Sequence, residues 1–166
     1  MPPRRAWEPA FHYAARTGDL DTLLSTLRGG HDPDQRDQRG NTALALAAQH
    51  GHAQVVRTLL AHGADVDREV KWHHTPLVLA VMWSHTDIAL LLMDHGAGVH
   101  QVSAIEGRSV FSLAVINRLQ TVVKALLQRG ADPNHRDARG RTALSYAREM
   151  DHSEMMQLLS EAGAQA

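Results

Sequence analysis

The stretch Gly40-Asn41-Thr42-Ala43-Leu44-Ala45-Leu46-Ala47-Ala48-Gln49-His50-Gly51-His52, with Leu59-Leu60-Ala61-His62-Gly63-Ala64-Asp65-Val66-Asp67 behind it, decides the fold because its pattern returns at a fixed interval. His62-Gly63-Ala64 comes back as His95-Gly96-Ala97, Arg129-Gly130-Ala131 and Ala162-Gly163-Ala164. The glycines lie 33, 34 and 33 residues apart, and Gly30 stands 33 before Gly63. A second series keeps the same period: Thr42-Ala43-Leu44, Thr75-Pro76-Leu77, Ser109-Val110-Phe111 and Thr142-Ala143-Leu144, followed in register by Ala47, Ala80, Ala114 and Ala147. A period of this length is the signature of a stacked repeat architecture, in which each unit buries its apolar faces against its neighbours.

Each unit has a local logic. The Thr or Ser opens a first helix as N-cap, its oxygen accepting an orphan N–H of the first turn. Pro76 falls just inside, where its missing N–H costs nothing. The recurrent alanines let neighbouring helices approach. A second helix follows with apolar pairs such as Val55/Val56 and Leu59/Leu60, whose spacing makes one broad buried stripe. The glycine beyond it supplies a left-handed residue that ends the helix. A polar crossing such as Asp132-Pro133-Asn134-His135-Arg136-Asp137 then leads to the next unit.

Over roughly residues 7–166 these motifs resemble the ankyrin repeat family. The resemblance implies an all-α solenoid of about five helix-turn-helix repeats, at about 9–40, 41–73, 74–107, 108–140 and 141–166, with projecting finger loops. Residues 1–8 are expected to form an irregular N-terminal arm. Polar end repeats, with His12, Arg16, Thr22 and Ser25 in the first and Ser145, Arg148, Glu149 and Glu154 in the last, are expected of a complete array.

Composition agrees and narrows the function. The chain has 166 residues, 43% hydrophobic but only 4% aromatic, so the core must be built from Ala, Leu and Val. Net charge is −1 with the basic residues scattered, which argues against nucleic acid, whose phosphates demand a one-sided positive field. There is no cysteine, so disulfides, thiolate catalysis and Cys-based metal centres are out. No apolar stretch approaches the length that spans a bilayer. A cytoplasmic protein without cofactor, monomeric on its own, is expected.

The sequence offers no reaction. It lacks a nucleophile elbow, a phosphate loop and a dinucleotide fingerprint. Of twelve histidines, His52, His85 and His152 share one repeat position and His62 and His95 another, so a structural role is expected for them. No pair has ligand-bearing helical spacing with a third ligand close by.

The resemblance implies that a protein partner binds the finger tips and the exposed, concave face of the first helices. In this chain those positions hold Arg39 and His50; Lys71, Trp72, His74, Met82 and Trp83; Ile105, Ile116 and Asn117; and Met150. Two of the three tryptophans thus fall in one central repeat, and exposed aromatics ringed by polar groups mark interaction surfaces. The competing expectation is that Trp72 folds over its own finger and shields Val70 and Trp83. The fingers are unusual here: Val70 stands where the family has Asp, His73 where it has Gly, and the finger Gly98–Gly107 is one residue longer and apolar. A binding module, in the form of an inhibitor or an immunity- or antitoxin-like protein, is expected. A structural or self-associating subunit is the alternative, and a metal-dependent enzyme using His50, His73 and His74 is a third.

Overall fold

A computed structural model describes residues 9–165; the arm expected at 1–8 lies outside them. Those residues form ten α-helices in five hairpins. They are α1 (Ala10–Thr17) with α2 (Leu20–Arg28), α3 (Ala43–His50) with α4 (Ala53–Ala61), α5 (Pro76–Met82) with α6 (Thr86–Asp94), α7 (Val110–Ile116) with α8 (Gln120–Gln128), and α9 (Ala143–Glu149) with α10 (Ser153–Glu161). The odd-numbered helices pack on one another in an inner row, and α2, α4, α6 and α8 follow in an outer row. The all-α repeat solenoid read from the period is the observed architecture.

The inner helices start where their hydroxyls stand. Thr42 accepts from the Ala45 N–H at 3.2 Å, Thr75 from Val78 at 3.3 Å, Ser109 from Ser112 at 3.1 Å and Thr142 from Ser145 at 3.3 Å. These helices have only 7 or 8 residues, well under the roughly 12–15 at which an isolated helix becomes marginal in water. They persist because they are swallowed by their neighbours: in α3 every residue from Ala43 to Ala48 is buried. Phe11, Leu44, Leu77, Ile88, Leu92, Phe111 and Leu126 form the continuous core.

The periodic histidines serve the backbone. His52 and His85 stand at the N-caps of α4 and α6 without a capping bond. Their Nε2–H groups instead reach the preceding hairpin, donating to the Arg16 and Gln49 carbonyls at 2.9 and 3.1 Å. Each thus satisfies an orphan carbonyl in the last turn of an inner helix. His62 and His95 donate within their own helices, to Thr58 and Leu91 at 2.8 and 2.9 Å. The ring of His85 comes so close that a Cβ on Gly51, at φ 81°, would lie 2.7 Å from its Cε1.

The fingers are joined to one another. Arg36 Nη2 donates to the Glu69 carbonyl at 2.7 Å, the Ala104 N–H to Trp72 at 3.0 Å and the Ala138 N–H to Glu106 at 2.9 Å. The lengthened third finger closes on itself through an isolated antiparallel bridge between Val102 and Ser109.

Candidate functional site

The finger turns decide what the inner face presents. In the first finger the buried Asp37 carboxylate accepts from the Arg39 and Asn41 N–H groups, both at 2.8 Å, and Gly40 takes the left-handed conformation. The fourth repeats this with Asp137, Arg139, Arg141 and Gly140. The second finger has Val70 in place of the aspartate, so no carboxylate can organise its tip. Here Lys71 accepts from the His74 N–H at 3.3 Å, around Trp72 and His73 with φ of 65° and 55°. Turns with two positive φ values normally carry Asn or Gly, and each non-glycine residue held there costs about 1–2 kcal/mol. The neighbouring finger secures it: Ala104 binds the Trp72 carbonyl, and His74 Nε2 shares a 2.9 Å hydrogen bond with Ser103 Oγ. Ser103 also accepts from the Ile105 N–H at 3.1 Å, performing the aspartate's task in its own, longer turn.

This arrangement corrects one expected binding residue. His74 is 6% exposed and its ring is committed to Ser103, so it supports the finger and does not offer itself to a partner. Burial pushes its pKa below the ordinary imidazole value. The other candidates sit at the surface or half-buried at its edge. Trp72 is 63% exposed, Trp83 56% and Ile105 45%. Neither indole is covered by its own finger, contrary to the competing expectation. Arg39, His50 and Lys71 are exposed, and Met82, Ile116, Asn117 and Met150 are half-buried. His50 donates through Nδ1 to the Leu46 carbonyl at 2.9 Å. Partial burial, with Arg16, His52 and His85 nearby, lowers its pKa although that hydrogen bond opposes the shift.

One feature of the face was not foreseen. The inner-helix position four residues past the cap holds Leu46, Leu79 and Leu113 in the three middle repeats, each 7% exposed, with Tyr146 in the last. Between the second and third repeats a pocket of about 180 Å³ is lined by Ala45, Leu46, Val70, Trp72 and Leu79 together with the polar Asn41, Gln49, Lys71 and His74. The recurrence of leucine at that place is the signal that could have pointed to it.

The far end of the face is polar and internally paired. Tyr146 is buried, donates to the Asp137 carboxylate and accepts from Arg108 Nε at 3.0 Å. The Arg141 and Arg108 guanidinium carbons lie 4.4 and 5.3 Å from its ring centre. Burial alone would raise the Asp137 carboxyl. The hydrogen bonds from Tyr146 and from the Arg141 and Arg139 N–H groups, with the Arg141 charge, hold it at about 2 instead. Glu106 pairs with Arg108 and, at 2.7 Å, with Arg139.

His50, His73 and His74 do not converge: one binds Leu46, one the Glu69 carboxylate at 2.8 Å and one Ser103. Among the described residues no group of three or more His, Asp or Glu is placed to hold a metal ion. No helix among them is long and apolar enough to cross a membrane.

Comparison with known proteins agrees with this geometry. The family model described as ankyrin repeats (3 copies) matches residues 11–103 and again 96–166. Among curated proteins none matches the chain. Ankyrin repeats are generally protein–protein interaction modules, typically without enzymatic activity. With capped inner helices, backbone-linked fingers and a matching family model over nearly all its length, the chain belongs to the ankyrin repeat family.

Proposed function

We propose that this chain binds one protein partner on the face formed by its inner helices and finger tips, with Trp72 and Trp83 at the centre. The observation that carries this reading is the exposure of both indoles, 63% and 56%, on either side of the junction between the second and third repeats. Large aromatics left in water are what an interface exploits, and truncating a well-packed tryptophan anchor commonly costs about 2–4 kcal/mol of binding. The strained Trp72 turn supports the same reading, since strain retained in a fold is concentrated at functional sites. A rigid face of this kind suits a neutralising protein, inhibitor- or immunity-like, that covers a surface of its target.

The test is affinity capture from the native host lysate with the wild-type chain and a Trp72→Ala/Trp83→Ala variant of matched helicity and thermal stability. A partner retained by the wild type and lost by the variant is expected. Equal retention by both would move the binding surface elsewhere. A molecular mass that rises with concentration, and stops rising in the variant, would make the contact one between copies.

A further inference from the structure

The pocket between the second and third repeats says what kind of segment the partner brings. Small-molecule sites commonly enclose about 300–1,000 Å³, more than the 180 Å³ found here. A cavity of about 150 Å³, however, accepts a benzene-sized group. The space is therefore right for one large apolar side chain and too small for a cofactor. One side of it is apolar, with Ala45 and Leu46 from α3, Leu79 from α5, and Val70 where the turn chemistry elsewhere requires aspartate; Asn41, Gln49, His74 and Lys71 complete the lining. Trp72, held out by its left-handed turn, forms one wall.

Among the described residues, Lys71 is the one lysine, arginine, aspartate or glutamate that lines this opening, and it makes no ion pair. The carboxylates nearby in the chain are already engaged. Asp37 is buried in its turn and accepts from Arg39 and Asn41, and Glu69 holds His73. A chain with net charge −1 thus places an unpaired cation at this pocket, whereas at the far end the arginines are matched by Glu106, Asp137 and Glu149.

We propose that this pocket receives a single large apolar side chain (Leu, Met or Phe) from an acidic segment of the partner protein, with a carboxylate beside that anchor meeting the Lys71 ammonium. The assignment rests on the protein-binding function proposed above and deepens it. The apolar anchor supplies contact inside a site walled by Trp72. The carboxylate supplies register, and Lys71 selects against basic segments by repelling them.

A displayed library of random twelve-residue peptides, selected on the full chain, tests this. The expected pool converges on Leu, Met or Phe with Asp or Glu within two residues. Its best member, made as a free peptide, should bind Lys71→Glu about 1.5-fold to fivefold more weakly, the range for an exposed charge pair, and should lose binding to Trp72→Ala. Both substitutions are at exposed positions, so the variants should fold. Selection on Lys71→Glu should yield the same apolar anchor without the acidic flank. Basic flanks, a pool without an apolar anchor, failure of the pool to converge, or equal binding to Lys71→Glu would each overturn the proposal. So would self-association through the pocket, seen as a concentration-dependent mass abolished by Trp72→Ala. If lysate capture still yields a partner that the double tryptophan variant loses, the binding function stands and only the acidic-segment assignment falls.

Discussion

Trp72 and His73 are the residues at which this chain departs furthest from the economy of its own repeats. Both sit at positive φ where the first and fourth fingers use a single glycine, at Gly40 and Gly140, under an aspartate. Replacing His73 with glycine should relieve one left-handed residue and raise stability by about 1 kcal/mol, read as a higher unfolding midpoint. The same change at Trp72 should stabilise comparably while abolishing partner binding; stabilisation of neither variant would show that the turn stores no strain. Asp137 makes the opposite kind of contribution. Its carboxyl titrates at about 2 in the fold against about 3.9 in an unfolded chain. A depressed carboxyl stabilises above the unfolded value and loses that stabilisation as pH falls through the folded one. Wild type should therefore exceed Asp137→Asn by on the order of 2 kcal/mol at neutral pH, a gap that closes between about pH 4 and 2. Denaturant unfolding of both at pH 7, 4 and 2.5 would show it, and a gap unchanged at pH 2.5 would contradict the assignment.

At the scale of helices and turns, the hairpins interlock through close approaches more than through bulky packing. Gly51 ends α3 at φ 81°, and the His85 ring of the next hairpin occupies the space where its side chain would be. Gly51→Ala should cost roughly 2–3 kcal/mol, combining the left-handed penalty with displacement of a partly buried, hydrogen-bonded ring. Ser84 holds the equivalent place one repeat on, at φ 61°, and the next repeat has Leu119 where a histidine would follow. Ser84→Gly should be neutral or stabilising by up to about 1 kcal/mol, and thermal melts of the two variants would separate these outcomes. Much of this level was legible beforehand, because caps, alanines and glycines act through local chemistry that a linear pattern displays. Thr42, Thr75, Ser109 and Thr142 open the inner helices as their residue types require. The fate of His74 was not legible. Its burial depends on Ser103, 29 residues away, in a turn whose extra residue could not be placed from spacing alone. The pocket was hidden for a related reason: Val70 reads as a lost aspartate, and only the packing of α3 beside α5 turns that loss into a cavity wall.

For the molecule as a whole, stability is a sum over neighbours along a line. The end repeats have a neighbour on one side only, and their outer helices show it. α2 and α10 each bury two side chains, Leu23 and Leu27 in one, Met155 and Leu159 in the other, whereas α6 buries five. Amide hydrogen exchange should accordingly be slowest in α5 to α8 and faster toward α2 and α10, with opening free energies that fall by repeats. Uniform protection across the five hairpins would mean that the array unfolds as one unit. The gradient places the stiffest part of the chain under Trp72 and Trp83, so the proposed contact surface is preorganised and loses little entropy on binding. The fingers above it are linked by main-chain hydrogen bonds, Ala104 to Trp72 and Ala138 to Glu106. Because those bonds use only peptide groups, these two links do not depend on the side chains of Trp72, Ala104, Glu106 and Ala138. Mutation can therefore rewrite such tip positions one at a time while these links persist, so that a lineage carrying this chain can track a changing target at a handful of codons.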